Sequence, residues 1–221
     1  MRNNKPSGEH PALNIQPIVE GHGEVPAVPV LLRRLTAEAQ AWTVDVGRPI
    51  RRPRYRLIEE AGVKQAVRLA LVQPDCGAVL ILFDGNSDCP AELGPTVQGW
   101  ATEAADGTPC AVVLAHREYE AWFLAAIESL RGQRGVKTDA ELHPAPEQPR
   151  GAKEQLEVRM QSGASYLETA DQPAFSATFS LPVAYRRSRS FRKLTSSFES
   201  LVRAMGHNID AWPPAAWTEN V

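Results

Sequence analysis

The 221-residue sequence has only three cysteines, Cys76, Cys89 and Cys110, and none of them forms a CxxC pair. This count excludes a zinc ribbon and a disulfide scaffold. No apolar run approaches the roughly 20 residues that a membrane-spanning helix needs. The first residues also lack the apolar segment of a signal peptide. We therefore expect a cytoplasmic protein without a membrane association.

The sequence also lacks an excess of charge of one sign, because 24 Lys and Arg residues stand against 26 Asp and Glu residues. A net charge of −2 excludes an overall basic field for coating DNA and leaves a locally basic cleft open. Neither nucleotide fingerprint, GxGxxG or GK[ST], is present. What the chain does have is a hydrophobic share of 43%, which is sufficient for a buried core.

Apolar patterning predicts strands that alternate with helices along the first part of the chain. We predict strands over 14–19, 42–46, 78–83 and 111–114. We predict helices over 25–41, 59–72, from Pro90 onward, and over 118–130, where Trp122 and Phe123 belong to the core. The run 78–83 is apolar throughout, which is typical of a strand buried on both faces. The alternation predicts an α/β fold with a mostly parallel four-stranded sheet flanked by helices.

After this region the composition changes to Pro, Gly and charged residues. We predict a flexible arm over 1–13, the α/β core over 14–131, and a loop-rich and helical extension over 132–221 that packs on the core. Within the extension we expect a long loop or lid over 132–152, irregular chain over 162–188, and helices over 153–161 and 190–205.

Acidic residues follow three of the predicted strands: Glu20 and Glu24, Asp84 and Asp88, and Glu118 and Glu120. Because the carboxyl ends of parallel strands meet at one edge of a sheet, we expect these acids to converge. Crowded carboxylates repel one another unless a cation neutralises them, and oxygen ligands favour Mg²⁺ or Mn²⁺. The alternative is that these acids cap helices, and spacing alone does not decide between the two.

Several basic residues are candidates for contact with a substrate. His22 is either a proton shuttle or phosphate contact, or an ordinary loop histidine. Lys153 either reaches a phosphoryl oxygen and neutralises its charge, or is an ordinary surface lysine. The basic run 186–193, which contains Arg187 and Arg189, either follows a phosphate backbone or forms a solvated helix end.

Six stretches resemble the bacterial family called domain of unknown function 4276, which is assigned to TOPRIM-like folds. They are VEGHGEVPAVPVLLRRL (19–35), LILFDGNSDCPAELGP (80–95), REYEAWFLAAIESLRG (117–132), AKEQL (152–156), DQPAF (171–175) and SRSFRKL (188–194). The resemblance spans nearly the whole chain after residue 13. It implies a TOPRIM-like, Rossmann-like sheet and a site for one or two metal ions.

By position, the resemblance implies carboxylate ligands at Glu20, Glu24, Asp84, Asp88, Glu118 and Glu120. Glu20 matches the TOPRIM glutamate, a general acid/base or metal ligand, and Glu24 matches a second acid of the overcoming-lysogenization-defect nucleases. Lys153 matches a lysine that related nucleases place near the scissile phosphate. Glu20 and Lys153 are therefore the expected catalytic residues.

Two positions depart from the family pattern. Asn86 stands where relatives carry the second aspartate of an Asp-x-Asp motif, and Ser180 stands where an aspartate is expected. Asparagine keeps a carbonyl oxygen as a possible ligand but brings no negative charge. The loss of this charge should weaken binding of the ion, unless Asp88 compensates for it.

The resemblance implies a Mg²⁺- or Mn²⁺-dependent nuclease acting on DNA or RNA. The candidate substrate contacts for such an enzyme are His22, Asn86, Arg187 and Arg189. The resemblance also implies a phage-defence context and an ATPase partner protein. A binding or effector module that has lost catalysis is the alternative, and a small-nucleotide phosphohydrolase is a weaker one.

Overall fold

The computed structural model describes residues 13–148 and 150–219. The predicted arm over 1–13 lies outside this range except for Leu13, which begins the first strand. The sheet contains β1 (Leu13–Val19), β2 (Val44–Val46), β3 (Ile50–Arg51), β4 (Cys76–Asp84) and β5 (Cys110–Ala115), and every pairing between them is parallel.

The strand order is β2-β1-β4-β5, and β3 pairs with the end of β1 beyond β2. The predicted α/β class with a mostly parallel sheet flanked by helices is confirmed and is consistent with a Rossmann-like fold. Among the residues that the structure describes, the sheet has five strands rather than the predicted four. The additional strand, β3, has only two residues and lies in an Arg- and Pro-rich segment that shows no strand pattern.

The helices are α1 (Glu24–Glu38), α2 (Arg54–Leu57), α3 (Glu60–Leu71), α4 (Pro90–Ala105), α5 (Ala121–Ala125), α6 (Ala152–Val158), α7 (Glu168–Thr178), α8 (Leu181–Arg187), α9 (Arg189–Ala204) and α10 (Ala215–Thr218). Within the described ranges, none of them has the length and apolar character to cross a membrane.

The central strand β4 buries side chains on both faces of the sheet, which explains its continuous apolar run. Ile81 and Phe83 point to one face and pack with α3 and α4. Leu80 and Leu82 point to the other face, where the core also includes residues of α1, α5, α7, α8 and α9. The C-terminal part of the chain therefore shares one core with the sheet.

Aromatic side chains join this C-terminal part to the core. The ring centroid of Phe123 lies 5.5 Å from those of Phe175 and Phe179, and that of Phe191 lies 5.4 Å from Trp122. The prediction that Trp122 and Phe123 are core residues is confirmed, since both are completely buried.

Two predictions of secondary structure are wrong. The segment 162–188 is not irregular, because it contains α7 and α8. Pro173 interrupts the backbone hydrogen bonds inside α7, but Phe175 and Phe179 are fully buried and anchor the segment against the core. The predicted continuous helix over 118–130 is instead α5 followed by a 3-10 turn (Ile127–Leu130).

Candidate functional site

Four of the predicted acids converge at the carboxyl edge of the sheet. Glu20 follows β1, Glu24 begins α1, Asp84 ends β4, and Glu120 lies between β5 and α5. Their negative charges act on one another: those of Glu24 and Glu120 both raise the pKa of Asp84. We call these four residues the acidic cluster.

Glu24 is almost completely buried, and its carboxylate holds the loop that precedes α1. Its Oε2 accepts the backbone N–H groups of Glu20 at 2.7 Å and Gly21 at 2.8 Å. Burial raises the pKa of Glu24 to about 7, against the lowering effect of these two hydrogen bonds. Glu24 therefore fixes the backbone at Glu20.

Asp84 and Glu120 are held by donors from neighbouring elements. The Oδ1 atom of Asp84 accepts the N–H of Tyr119 at 2.8 Å, and burial raises the pKa of Asp84 well above its usual value. The Oε1 atom of Glu120 accepts the Tyr166 hydroxyl at 2.9 Å and the Gln172 amide at 3.3 Å. Glu120 is completely buried, and this burial raises its pKa to about 7.

Two cationic side chains border the acidic cluster. Lys153 donates from Nζ to Glu168 Oε2 at 2.7 Å. Burial alone would lower the pKa of Lys153, but the charges of Glu120 and Glu168 outweigh it and raise the pKa. The Nη1 atom of Arg54 lies 3.6 Å from Glu20 Oε2 and also donates a hydrogen bond to the carbonyl oxygen of Asp84.

Three buried acceptor oxygens around the cluster receive no hydrogen bond from the described residues. They are Glu20 Oε2, Glu120 Oε2 and Gln172 Oε1. Buried polar atoms are nearly always paired, so this concentration of unpaired acceptors indicates a place for a cation or a donor. Over 13–148 and 150–219, no group of three His, Cys, Asp or Glu side chains is placed so that it could hold a metal ion.

Two predicted metal ligands are engaged by other partners. Asp88 has a side chain that is 46% exposed and is ion-paired with Arg54. Glu118 accepts the backbone N–H groups of Gly151 and Lys153, both at 3.1 Å, and so holds the start of α6.

The predicted substrate contacts occupy separate places. His22 is exposed on the loop before α1, and Asn86 is exposed on the loop after β4. Arg187 is ion-paired with Glu128 at 2.8 Å. Arg189 lines a cavity of about 820 Å³ between α4, β5 and α9, and no member of the acidic cluster lines this cavity.

Ser180, where the family pattern has an aspartate, is the N-cap of α8. Its hydroxyl accepts the backbone N–H of Val183 at 3.4 Å. An aspartate could serve the same capping position, so this departure does not by itself remove a side chain from the acidic cluster.

Sequence reasoning missed four residues of the site: Arg54, Tyr166, Glu168 and Gln172. Arg54 lies outside every predicted strand and helix, and the other three lie in the segment 162–188, which is predicted to be irregular. Phe175 and Phe179 have the i, i+4 spacing of a helical face, but Phe179 is the C-cap residue beyond the end of α7, and this single pair does not predict a helix. No local pattern marks Tyr166 as a donor to Glu120.

The loop before α1 packs directly on α7 at Gly23. A Cβ atom at this position would lie 2.3 Å from Gln172 Oε1 and 2.9 Å from the carbonyl oxygen of Glu168. Glycine is therefore required here so that the loop carrying Glu20 can approach the side chains of α7.

A parallel sheet with acids at its carboxyl edge defines this chain as an α/β protein with a buried acidic centre. The chain belongs to the family described as "Domain of unknown function (DUF4276)", whose model matches residues 19–199. The resemblance to that family is thereby confirmed. The chain has no match among the curated proteins and none among the solved structures.

Proposed function

We propose that the protein is a metal-dependent phosphoryl-transfer enzyme, namely a nuclease that hydrolyses DNA or RNA phosphodiesters with Mg²⁺ or Mn²⁺. The observation that carries this proposal is the group of buried acceptors without a hydrogen bond at Glu20, Glu120 and Gln172, of which Glu20 has a cation nearby, Arg54 Nη1 at 3.6 Å. Carboxylate and amide oxygens are the ligands that hard divalent cations prefer. A cation among them would satisfy these acceptors and offset the repulsion between carboxylates.

Glu20, Asp84 and Glu120 are the residues that we expect to hold the ion. Bound there, a divalent cation supplies a water of lowered pKa and neutralises charge on the phosphate. Glu24 supports the site indirectly, because it accepts the N–H groups of Glu20 and Gly21 and so sets the position of the loop.

Lys153 and Glu20 are the groups that we expect to meet the substrate. The Lys153 side chain is 38% exposed and stays protonated because its pKa is raised, so its ammonium group can neutralise a phosphoryl oxygen. The Glu20 side chain is 22% exposed, whereas Glu24 and Glu120 are buried. Glu20 is therefore the carboxylate best placed to orient or deprotonate the attacking water.

The resemblance to TOPRIM nucleases adds support of a weaker kind, because fold likeness does not fix chemistry. By that analogy we propose a cytoplasmic enzyme of a phage-defence locus that acts with an ATPase partner. The three free cysteines accord with a reducing compartment.

A module that binds without cutting is the second candidate, and one observation favours it. The end of β4 contributes Asp84 alone to the acidic cluster, since Asn86 carries no charge and the side chain of Asp88 is 46% exposed. A site with fewer carboxylates binds a divalent cation more weakly. Metal binding without cleavage of any nucleic acid would support this candidate.

The test is cleavage of plasmid, single-stranded DNA and RNA by the full chain with Mg²⁺ or Mn²⁺. We expect cleavage that EDTA abolishes and that Glu20→Gln reduces by at least about a hundredfold, the effect typical of an essential acid or base. Glu199→Gln is the matched control, because Glu199 is 27% exposed and ion-paired with Arg203. Equal cleavage by both variants, or cleavage in EDTA, would contradict the proposal.

A further inference from the structure

A second cavity, of about 230 Å³, lies next to the acidic cluster. It forms between the loop after β4 and the loop after β5, and its lining residues are Asn86, Ser87, Arg117, Glu118 and Arg150. Asp84 precedes Asn86 by two positions, and Glu120 follows Arg117 by three. A group bound in this cavity would therefore stand close to the proposed metal site.

The backbone at this cavity is held in an unusual conformation. Asn86 and Arg117 have positive φ angles of 50° and 65°. The N–H of Asn86 donates to the carbonyl oxygen of Arg117 at 2.8 Å, which couples the two loops. Asparagine adopts this region readily, whereas an arginine there is strained, and such strain is often found at functional sites.

Arg117 has a donor that the described residues leave unused. Its Nε is buried and makes no hydrogen bond with them, and its Nη1 makes only a long one, 3.4 Å, to the carbonyl oxygen of Asn86. A guanidinium group donates through Nε and Nη together to two oxygens of one phosphate. A phosphate in the cavity would satisfy the unpaired donor.

The charges around the cavity suit an anion with a single negative charge. Arg117 and Arg150 are positive, and the carboxylate of Glu118 is engaged by the N–H groups of Gly151 and Lys153. The lining thus has two positive charges and one negative charge, which matches the one charge of a phosphodiester. Asn86 adds no further negative charge to this lining.

We propose that Arg117 and Arg150 bind a phosphodiester group of the nucleic-acid substrate next to the scissile one. This inference rests on the proposed nuclease function. In a strand crossing the edge of the sheet, one phosphate would lie at the acidic cluster and its neighbour would lie in this cavity.

The test is binding of a short, fluorescein-labelled single-stranded oligodeoxynucleotide to the full chain in EDTA, measured by anisotropy over a range of salt concentrations. We expect Arg117→Ala and Arg150→Ala each to weaken binding about tenfold, the effect of losing one charge-assisted hydrogen bond. Each should also reduce the slope of log K against log salt by about 0.7, the value for one phosphate contact on a single strand. Asn86→Asp should weaken binding in the same direction.

Arg68→Ala is the matched control, because Arg68 is exposed on the last turn of α3, toward the opposite end of the sheet. If Arg117→Ala does not fold, Arg150→Ala and Asn86→Asp still test the proposal. Both positions are exposed, so these substitutions should leave the fold intact. Absence of binding by the wild type, or equal binding by all variants and Arg68→Ala, would overturn the proposal. Arginine-dependent binding without cleavage under any metal would keep the subsite and refute the nuclease.

Discussion

Replacing Glu120 with glutamine should change how the stability of the metal-free protein depends on pH. Burial raises the pKa of Glu120 from 4.5 to about 7 in the folded protein. Between these two pH values the unfolded chain loses the proton and the folded protein keeps it. The stability that the protonated group contributes is therefore complete below pH 4.5 and is lost as the pH rises through about 7.

The size of the effect follows from the difference between the two pKa values. At about 1.4 kcal/mol per pKa unit, the shift corresponds to about 3 kcal/mol of unfolding free energy at pH 8. Glutamine has no charge to lose, and its carbonyl oxygen can still accept the hydroxyl of Tyr166. The amide that replaces Oε2 adds a cost that does not vary with pH.

The assay is urea unfolding in EDTA, followed by circular dichroism at pH 5 and pH 8. Between pH 5 and pH 8, the free energy of unfolding of the wild type should fall by about 2 to 3 kcal/mol more than that of Glu120→Gln. Glu199→Gln, on the surface of α9, should retain the pH dependence of the wild type. Parallel profiles for wild type and Glu120→Gln would refute the assignment of a buried carboxylate with a raised pKa.

Three further substitutions test other parts of the site. Gly23→Ala should destabilise the protein by about 1 to 3 kcal/mol in urea unfolding, because its Cβ would overlap Gln172 Oε1; unchanged stability would contradict the packing of the loop on α7. Tyr166→Phe removes the hydroxyl donor to Glu120. It should lower the thermal midpoint of the metal-free protein more at pH 8, where Glu120 is ionised, than at pH 5. An equal decrease in the midpoint at both pH values would contradict a hydrogen bond to an ionised Glu120. Ser180→Ala should cost about 1 kcal/mol through loss of the N-cap and leave metal binding unchanged in a Mn²⁺ titration; weakened Mn²⁺ binding would connect Ser180 to the metal site.

The sequence predicts the part of the site that depends on strand ends. Glu20 and Asp84 follow strands whose apolar runs are clear, and the parallel pairing of β1 with β4 brings both to one edge. The ion pair of Asp88 with Arg54 was not predictable, because Arg54 comes from a helix of only four residues.

The contributions of α7 were also beyond the local pattern. Glu168 and Gln172 reach the site because aromatic residues anchor α7 to the core, and those contacts join residues far apart in the chain. The proline at position 173 and the polar residues around it argue against a helix when read locally. Tertiary packing outweighs that local preference.

Calorimetric titration of the metal-free protein with Mn²⁺ measures whether the acidic cluster binds a divalent cation, as we propose. We expect binding by the wild type and by Glu199→Gln. Glu20→Gln and Glu120→Gln each remove a charged ligand and should lose at least about tenfold in affinity, since even the loss of a partner of a ligand costs that much. No binding of Mn²⁺ by the wild type, or equal affinity in all four proteins, would contradict the account.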